Sequence, residues 1–320
     1  MATRPRFGKR LARLLVPLLL ILIVAFLIAL AAMVYGITRP PRRVYLVTPQ
    51  QFSTISGTAE PLKVTDETWR NRDGTAARGW LLRGAEGAPA VILLHRYGGD
   101  RSYLLNLGVK LNEVTGFTIL WPDLRGHGLN PPVKWTSFGS READDLLAAL
   151  SFLRSIKSEG QRQLIGDRIG IYGVELGAYT ALRAAGRDDG IQVLVLDSVP
   201  RNQNEMIEVV LRRQFRLNTS ALIVPARIAT GLYFLGQYSN QSSCDLARNL
   251  GTRHVLLLAG EDGTYLRDST RSLAPCFPIP ANLEVKTDLP LSGSTLPAAT
   301  GEQGESYDRP VIDFFAKSLR

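Results

Sequence analysis

From Arg168 the chain reads as an apolar strand, Ile169-Gly170-Ile171-Tyr172, that runs through Gly173-Val174-Glu175-Leu176-Gly177 into a helix-like stretch from Ala178 to Ala185. A strand that gives way to a helix within a few residues must turn sharply, and glycines on either side of the turn allow the close backbone approach it needs. This frame constrains the fold more than any other stretch, because it demands a buried strand with a helix packed back onto it. In the G-x-S-x-G version of such an elbow the central residue is a nucleophilic serine lifted into a site. Here the central residue is Glu175.

The surroundings repeat the pattern. Ala90-Val91-Ile92-Leu93-Leu94 reads as a buried strand ending in His95-Arg96-Tyr97-Gly98-Gly99, and Phe117-Thr118-Ile119-Leu120-Trp121 ends in Pro122-Asp123-Leu124-Arg125-Gly126-His127-Gly128. Glu142 to Ile156 has helical spacing, with Leu146, Leu147, Leu150, Leu153 and Ile156 on one face. Two more apolar strands follow, Val193 to Asp197 and His254 to Asp262. Short apolar strands alternating with amphipathic helices predict a mostly parallel, doubly wound α/β sheet with helices on both faces.

These ordered elements resemble the α/β-hydrolase family, in particular its serine-aminopeptidase and monoacylglycerol-lipase-like branch, from about Leu62 to the C-terminus. The resemblance rests on the turn at His95, the D-x-R-G-H-G loop at Asp123 to Gly128, the elbow at Gly173 to Gly177 and the G-x-D turn at Gly260 to Asp262. It implies a site built from a serine, then an acid, then a histidine, with N–H donors for an oxyanion. Glu175 stands at the nucleophile position and Asp262 at the acid position. The histidine should follow the last strand, Leu283 to Lys286, before a terminal helix that includes Val311 and Phe315. No histidine occurs after His254, so the triad histidine is absent. Leu176, Arg96 and Tyr97 are the oxyanion-hole candidates, and their N–H groups are expected to cradle the Glu175 carboxylate instead. His127 is the candidate substitute base; His95 takes a structural place in its turn, and His254 falls at the wrong end of its strand.

Ahead of this domain, Leu14 to Gly36 is an apolar run without a charged residue. As a helix it would extend roughly 34 Å, enough to cross the hydrocarbon of a bilayer. Arg4, Arg6, Lys9, Arg10 and Arg13 precede it, and Arg39, Arg42 and Arg43 follow. The stronger basic flank predicts a single-pass anchor with its N-terminus cytoplasmic and the domain outside; Ala29-Leu30-Ala31 offers cleavage as a signal peptide as the alternative. The division expected is 1–13 as basic flank, 14–36 as transmembrane anchor, 37–61 as linker and start of the domain, and 62–320 as the hydrolase-fold domain. An insertion at about 200–250 reads as a lid, with one helix around Met206 to Phe215 and a second in Leu222 to Leu235. Arg212, Arg213 and Arg216 are expected on the first helix's outer side.

The net charge of +9 does not point to an acidic partner. Eight Lys and Arg and no acidic residue lie in positions 1–43, which leaves about +1 elsewhere. The basic character belongs to the membrane flanks, and no basic stripe with interleaved aromatics suggests nucleic acid. Three scattered histidines and two cysteines give no metal-site spacing, and no cofactor is implied. Cys244 and Cys276 are either one disulfide or two buried thiols.

The sequence therefore predicts a membrane-anchored α/β-hydrolase-fold protein that is catalytically degenerate and binds a small apolar ligand or a protein partner of unspecified kind. Two enzymatic alternatives stand beside it. Glu175 would act as nucleophile or base on a small ester, epoxide or halide, or a serine outside the elbow, Ser198 or Ser292, would take over. The contacts of the Glu175 carboxylate discriminate: a histidine nitrogen favours an enzyme, and backbone N–H groups alone favour a degenerate site.

Overall fold

A computed structural model of the chain describes residues 6–41, 44–56 and 62–320. Arg4, Arg42 and Arg43 of the basic flanks lie outside the described residues. The strands are β1 (Val64–Arg70), β2 (Ala76–Leu82), β3 (Ala88–Leu94), β4 (Thr118–Pro122), β5 (Ile165–Val174), β6 (Ile191–Asp197), β7 (His254–Gly260) and β8 (Leu283–Leu289). They form one eight-stranded sheet in the order β1-β2-β4-β3-β5-β6-β7-β8. Pairing is antiparallel at β1-β2 and β2-β4 and parallel from β4 to β8.

The strands expected from their apolar runs are β3 to β7, and β8 stands where the resemblance implies a last strand, at Leu283 to Lys286. The antiparallel pair β1 and β2 escaped because β1, Val64-Thr65-Asp66-Glu67-Thr68-Trp69-Arg70, is a mostly solvent-facing edge strand with few apolar residues. Inner strands are covered on both sides, which explains their uninterrupted apolar character. In β3, Ala90, Ile92 and Leu94 face one core while Val91 and Leu93 face the other; in β6, Leu194 and Leu196 oppose Val193 and Val195.

Ten α-helices complete the described chain: α1 (Arg6–Thr38), α2 (Pro49–Ser56), α3 (Leu105–Thr115), α4 (Ser140–Ser155), α5 (Leu176–Ala185), α6 (Gln203–Phe215), α7 (Ser220–Tyr233), α8 (Ser243–Arg248), α9 (Thr264–Leu273) and α10 (Gly301–Ser318). Residues of α4 to α8 fill the first core, and α3 and α10 fill the second. The two helices of the insertion are α6 and α7. Cys244 in α8 and Cys276 just after α9 form a disulfide, with their Cα atoms 5.2 Å apart.

Apolar α1 is exposed along Leu15 to Ala29, and its C-terminal end is not a free linker. Val34, Ile37 and Thr38 are buried against the domain, and Ile37 belongs to the first core. The stretch expected to open a linker at residue 37 thus begins inside the fold.

The elbow joins β5 to α5. Glu175 occupies the turn with φ 49° and ψ −103°, a conformation side chains rarely adopt. A Cβ on Gly173 would meet the Gly177 carbonyl carbon at 2.5 Å, and one on Gly177 would overlap the backbone of Leu94 in β3. Both glycines are therefore fixed by close approach, whereas Gly186 at the far end of α5 has open space around its Cα. Gly177→Ala is expected to destabilise the domain by about 1–3 kcal/mol or to prevent folding, while Gly186→Ala should be neutral or stabilise by about 0.5 kcal/mol. Denaturant unfolding of the two variants in detergent checks this, and equal effects would contradict it.

Candidate functional site

The turn that lifts Glu175 out of β5 leaves its side chain 1% exposed. An ionised carboxylate at that depth requires compensation. It comes from α6: Arg213 Nη1 donates to Oε2 at 2.8 Å, and Nη2 lies 2.7 Å from Oε1, an ion-pair contact out of line for a full hydrogen bond. Burial disfavours the Arg213 charge, but Glu175 outweighs it and raises the guanidinium's pKa. Among the described residues no backbone N–H of Leu176, Arg96 or Tyr97 bonds the carboxylate. The expected oxyanion-type cradle is thus replaced by a side-chain cation, and Arg213 points into the site, not away from it. Arg212 alone of the pair follows the surface pattern, bonding Glu208 one turn back.

The oxyanion-turn residues have other engagements. Arg96 Nε donates to the Ser294 carbonyl at 3.1 Å, and its Nη1 donates to the Tyr97 carbonyl at 2.9 Å. Tyr97 reaches the end of the apolar helix, its hydroxyl donating to the Ile37 carbonyl at 2.8 Å and standing 3.2 Å from Gln214 Oε1 on α6.

Asp262 sits where the acid was expected, just past β7. With no histidine to orient, it ties down the loop that would carry one. Its Oδ1 accepts from Ser292 N–H at 2.7 Å and its Oδ2 from the Thr295 hydroxyl. Gly293 N–H in the same loop donates to Asp197 Oδ2 at 2.8 Å. Asp197, at the end of β6, also accepts from Ser198 at 2.6 Å and from Tyr307, whose hydroxyl is 2.7 Å from that of Tyr172. Burial pushes the Asp197 carboxyl up to about 6 against these bonds, with the charge of Glu175 adding to the rise. Neither this network nor the pairing of Arg213 with Glu175 is legible in the sequence, which places Arg213 on the helix's outer side. The available hint was a run of arginines on a lid helix facing an elbow whose carboxylate had no stated cation.

The histidines do not complete a catalytic set. His127 Nδ1 lies 2.9 Å from the Arg125 carbonyl, which assigns its hydrogen to Nδ1. Burial, with neighbouring His95, lowers its pKa to about 3, a poor match for a base near neutrality. His95 braces two loops, with Nδ1 2.8 Å from the Arg96 carbonyl and Nε2 accepting from Leu124 N–H at 3.1 Å. His254 is exposed at the start of β7, opposite Asp262. Among the described residues no histidine is hydrogen-bonded to Glu175, Ser198 or Ser292. The Ser198 hydroxyl is spent on Asp197, and that of Ser292 pairs with Ser294 at 2.7 Å. No group of three or more metal-ligating side chains occurs among the described residues.

Beside the ion pair is a cleft of about 310 Å³ lined by Pro41, Arg96, Tyr97, Gly98, Val210, Arg213 and Gln214. Arg213, 44% exposed, forms part of its wall and covers Glu175. Removing the cation leaves a buried charge unpaired. Arg213→Ala should therefore destabilise the domain by about 1–3 kcal/mol, less than the roughly 3–5 kcal/mol of a fully buried pair because the guanidinium is partly solvated. Adding Glu175→Gln should recover most of that loss. Denaturation midpoints of the single and double variants test the coupling, and simple additivity would refute it.

No family model matches the chain. Thiohydrolase aneE of Aspergillus aculeatus is 24% identical over 158 residues, 49% of this chain and 46% of that protein. An uncharacterised Escherichia coli protein from the traX-finO intergenic region is 25% identical over 134 residues, covering 42% of this chain and 44% of that protein. The chain thus spans about half the length of the curated relatives it matches. Solved structures extend the likeness. The Pyrococcus furiosus esterase Pf2001 superposes with a TM-score of 0.61 at 21% identity, over 88% of this chain and all of that one. The α/β hydrolase GrgF from Penicillium sp. sh18 gives 0.58 at 17% identity, over 81% and 99%. Sheet order, elbow and these superpositions together identify the chain as an α/β-hydrolase-fold protein.

Proposed function

We propose that this is a membrane-anchored α/β-hydrolase-fold protein whose serine-hydrolase chemistry has been lost, and that it binds a small ligand or protein partner at the cleft over the former site. The observation carrying this reading is the pairing of Glu175 with Arg213. A nucleophilic carboxylate must present a free oxygen to an electrophile and then lose its ester to an activated water. Here both carboxylate oxygens face a guanidinium, and the loop that would supply the water-activating histidine is fastened to Asp262 and Asp197 by Ser292, Gly293 and Thr295. The cleft suits a ligand with an apolar body and an acceptor group, since Val210, Pro41 and Tyr97 stand next to the cationic heads of Arg96 and Arg213.

A fluorophosphonate requires an activated serine, so the purified protein should remain unlabelled. Glu175→Ser restores the hydroxyl without a base, and triad members act as a unit; its turnover of short acyl esters should stay at background. Stoichiometric labelling at Ser198 or Ser292, or wild-type turnover of an ester, epoxide or haloalkane that Glu175→Gln abolishes, would overturn the reading.

The anchor is α1, in which an eighteen-residue window of Leu15–Thr38 has mean hydropathy 3.2. With the larger basic flank ahead of it, the N-terminus lies in the cytoplasm and the domain outside. Protease added to intact cells should digest the domain, and carbonate washing should leave the full-length chain with the membranes. A soluble form that begins near Ala32 would instead establish cleavage of a signal peptide.

A further inference from the structure

The lid helix α7 is apolar on two opposite faces. Ile223, Ala226 and Thr230, continued by Phe234, are buried in the domain. The other side carries Val224, Ile228 and Leu232, continued by Leu235, at spacings of four, four and three residues, and all four are exposed, Ile228 at 58% and Leu232 at 63%. Arg227 is the helix's one charged residue. A helix apolar all round is ordinarily enclosed by protein or lipid, and this one is covered by protein on one side only.

The docking of α1 indicates what covers the other side. Helix α1 packs against both α6 and α7. Leu30 and Met33 rest against the domain core and Val34 is buried, so contact with the domain begins at Leu30. Between Leu15 and Ala29 every side chain is exposed, a stretch of only roughly 22 Å at about 1.5 Å per residue. A hydrocarbon core of about 30 Å takes about twenty residues. Counted from Leu14, immediately after Arg13, twenty residues end at Met33, within the docked segment. If Arg13 snorkels and the count starts at Leu11, they end at Leu30, where docking begins. Tilt of α1 only lengthens the overlap. The free part of the anchor is too short to hold the domain clear of the membrane.

We infer that the exposed face of α7, centred on Ile228 and Leu232, is a membrane-interfacial surface seated in the leaflet on the domain's side. Its occupant is the bilayer that α1 crosses. Counted from Leu14, residues 14–29 ahead of the docked segment span about 24 Å, and the shortfall of about 6 Å lies within the depth of about 5–10 Å to which interfacial helices bury their apolar faces. The cleft beside Arg213 then stands close to the lipid interface, because Gln214 and Tyr97 in its wall are hydrogen-bonded to Gly36 and Ile37 at the end of α1.

This inference rests on α1 being a membrane anchor, and the test separates the two. Full-length variants Ile228→Cys, Leu232→Cys, Leu22→Cys and Val114→Cys are labelled with an environment-sensitive fluorophore, the native disulfide kept oxidised, and reconstituted into phosphatidylcholine and phosphatidylglycerol vesicles containing doxyl-lipid quenchers. Leu22 lies in the free part of α1, and Val114 is an exposed apolar position on α3. Labels at 228 and 232 should be quenched at least about twofold by shallow doxyl lipids, the label at 22 by deep ones, and the label at 114 by neither. If 228 and 232 behave like 114 while 22 is quenched, the interfacial surface is wrong and the anchor stands. An unquenched label at 22 removes both.

Discussion

A carboxylate buried at the elbow sets the terms for the rest of this molecule. The β5-to-α5 turn forces the central side chain into the interior, because Gly173 and Gly177 leave the backbone one route past Leu94. A serine there needs only a hydrogen bond, but Glu175 brings a charge whose desolvation costs several kcal/mol unless it is paired. Arg213 supplies the pairing from α6, so the lid helix is drawn down over the turn. Along the same wall Tyr97 and Gln214 donate to the last carbonyls of α1, and the backbone N–H of Thr136 donates to the Thr38 carbonyl. The elbow, α6 and the end of α1 are thereby one connected structure.

On the opposite side of the elbow a loop is fastened where the family resemblance implies a histidine. Asp262 keeps the acid's place but takes Ser292 and Thr295 as partners, and Arg96 reaches across to the Ser294 carbonyl. These contacts pair the backbone N–H of Ser292 and the carbonyl of Ser294, and Asp262, itself exposed, fastens the loop. Asp197 adds a second buried carboxyl behind Glu175, held by two hydroxyls and a backbone N–H instead of a cation. The two carboxyls differ in their compensation, and of the two only Glu175 is paired with a cation.

Much of this could be read in the amino-acid sequence, for identifiable reasons. Strands buried on both faces cannot carry polar residues, so β3 to β7 stand out as apolar runs, and the elbow shows itself because only glycine fits its two close approaches. The absent histidine is a matter of inspection, as is the charge-free stretch after Arg13. Edge strand β1 does not stand out, since a strand with one solvated side mixes Thr, Asp and Glu with its apolar residues, and β2 offers only the short apolar end Trp80-Leu81-Leu82 after Arg78 and Gly79.

Local sequence by itself determined the strand–elbow–helix order, the carboxylate at the nucleophile position and the apolar length of α1, because each depends on residues adjacent in the chain. Only the tertiary structure decided what neutralises Glu175, that Cys244 meets Cys276, and that the C-terminal end of α1 docks on the domain. Those outcomes join residues that are tens of positions apart or more, and the distance between such residues is set by how the helices pack on the sheet, which no local pattern encodes.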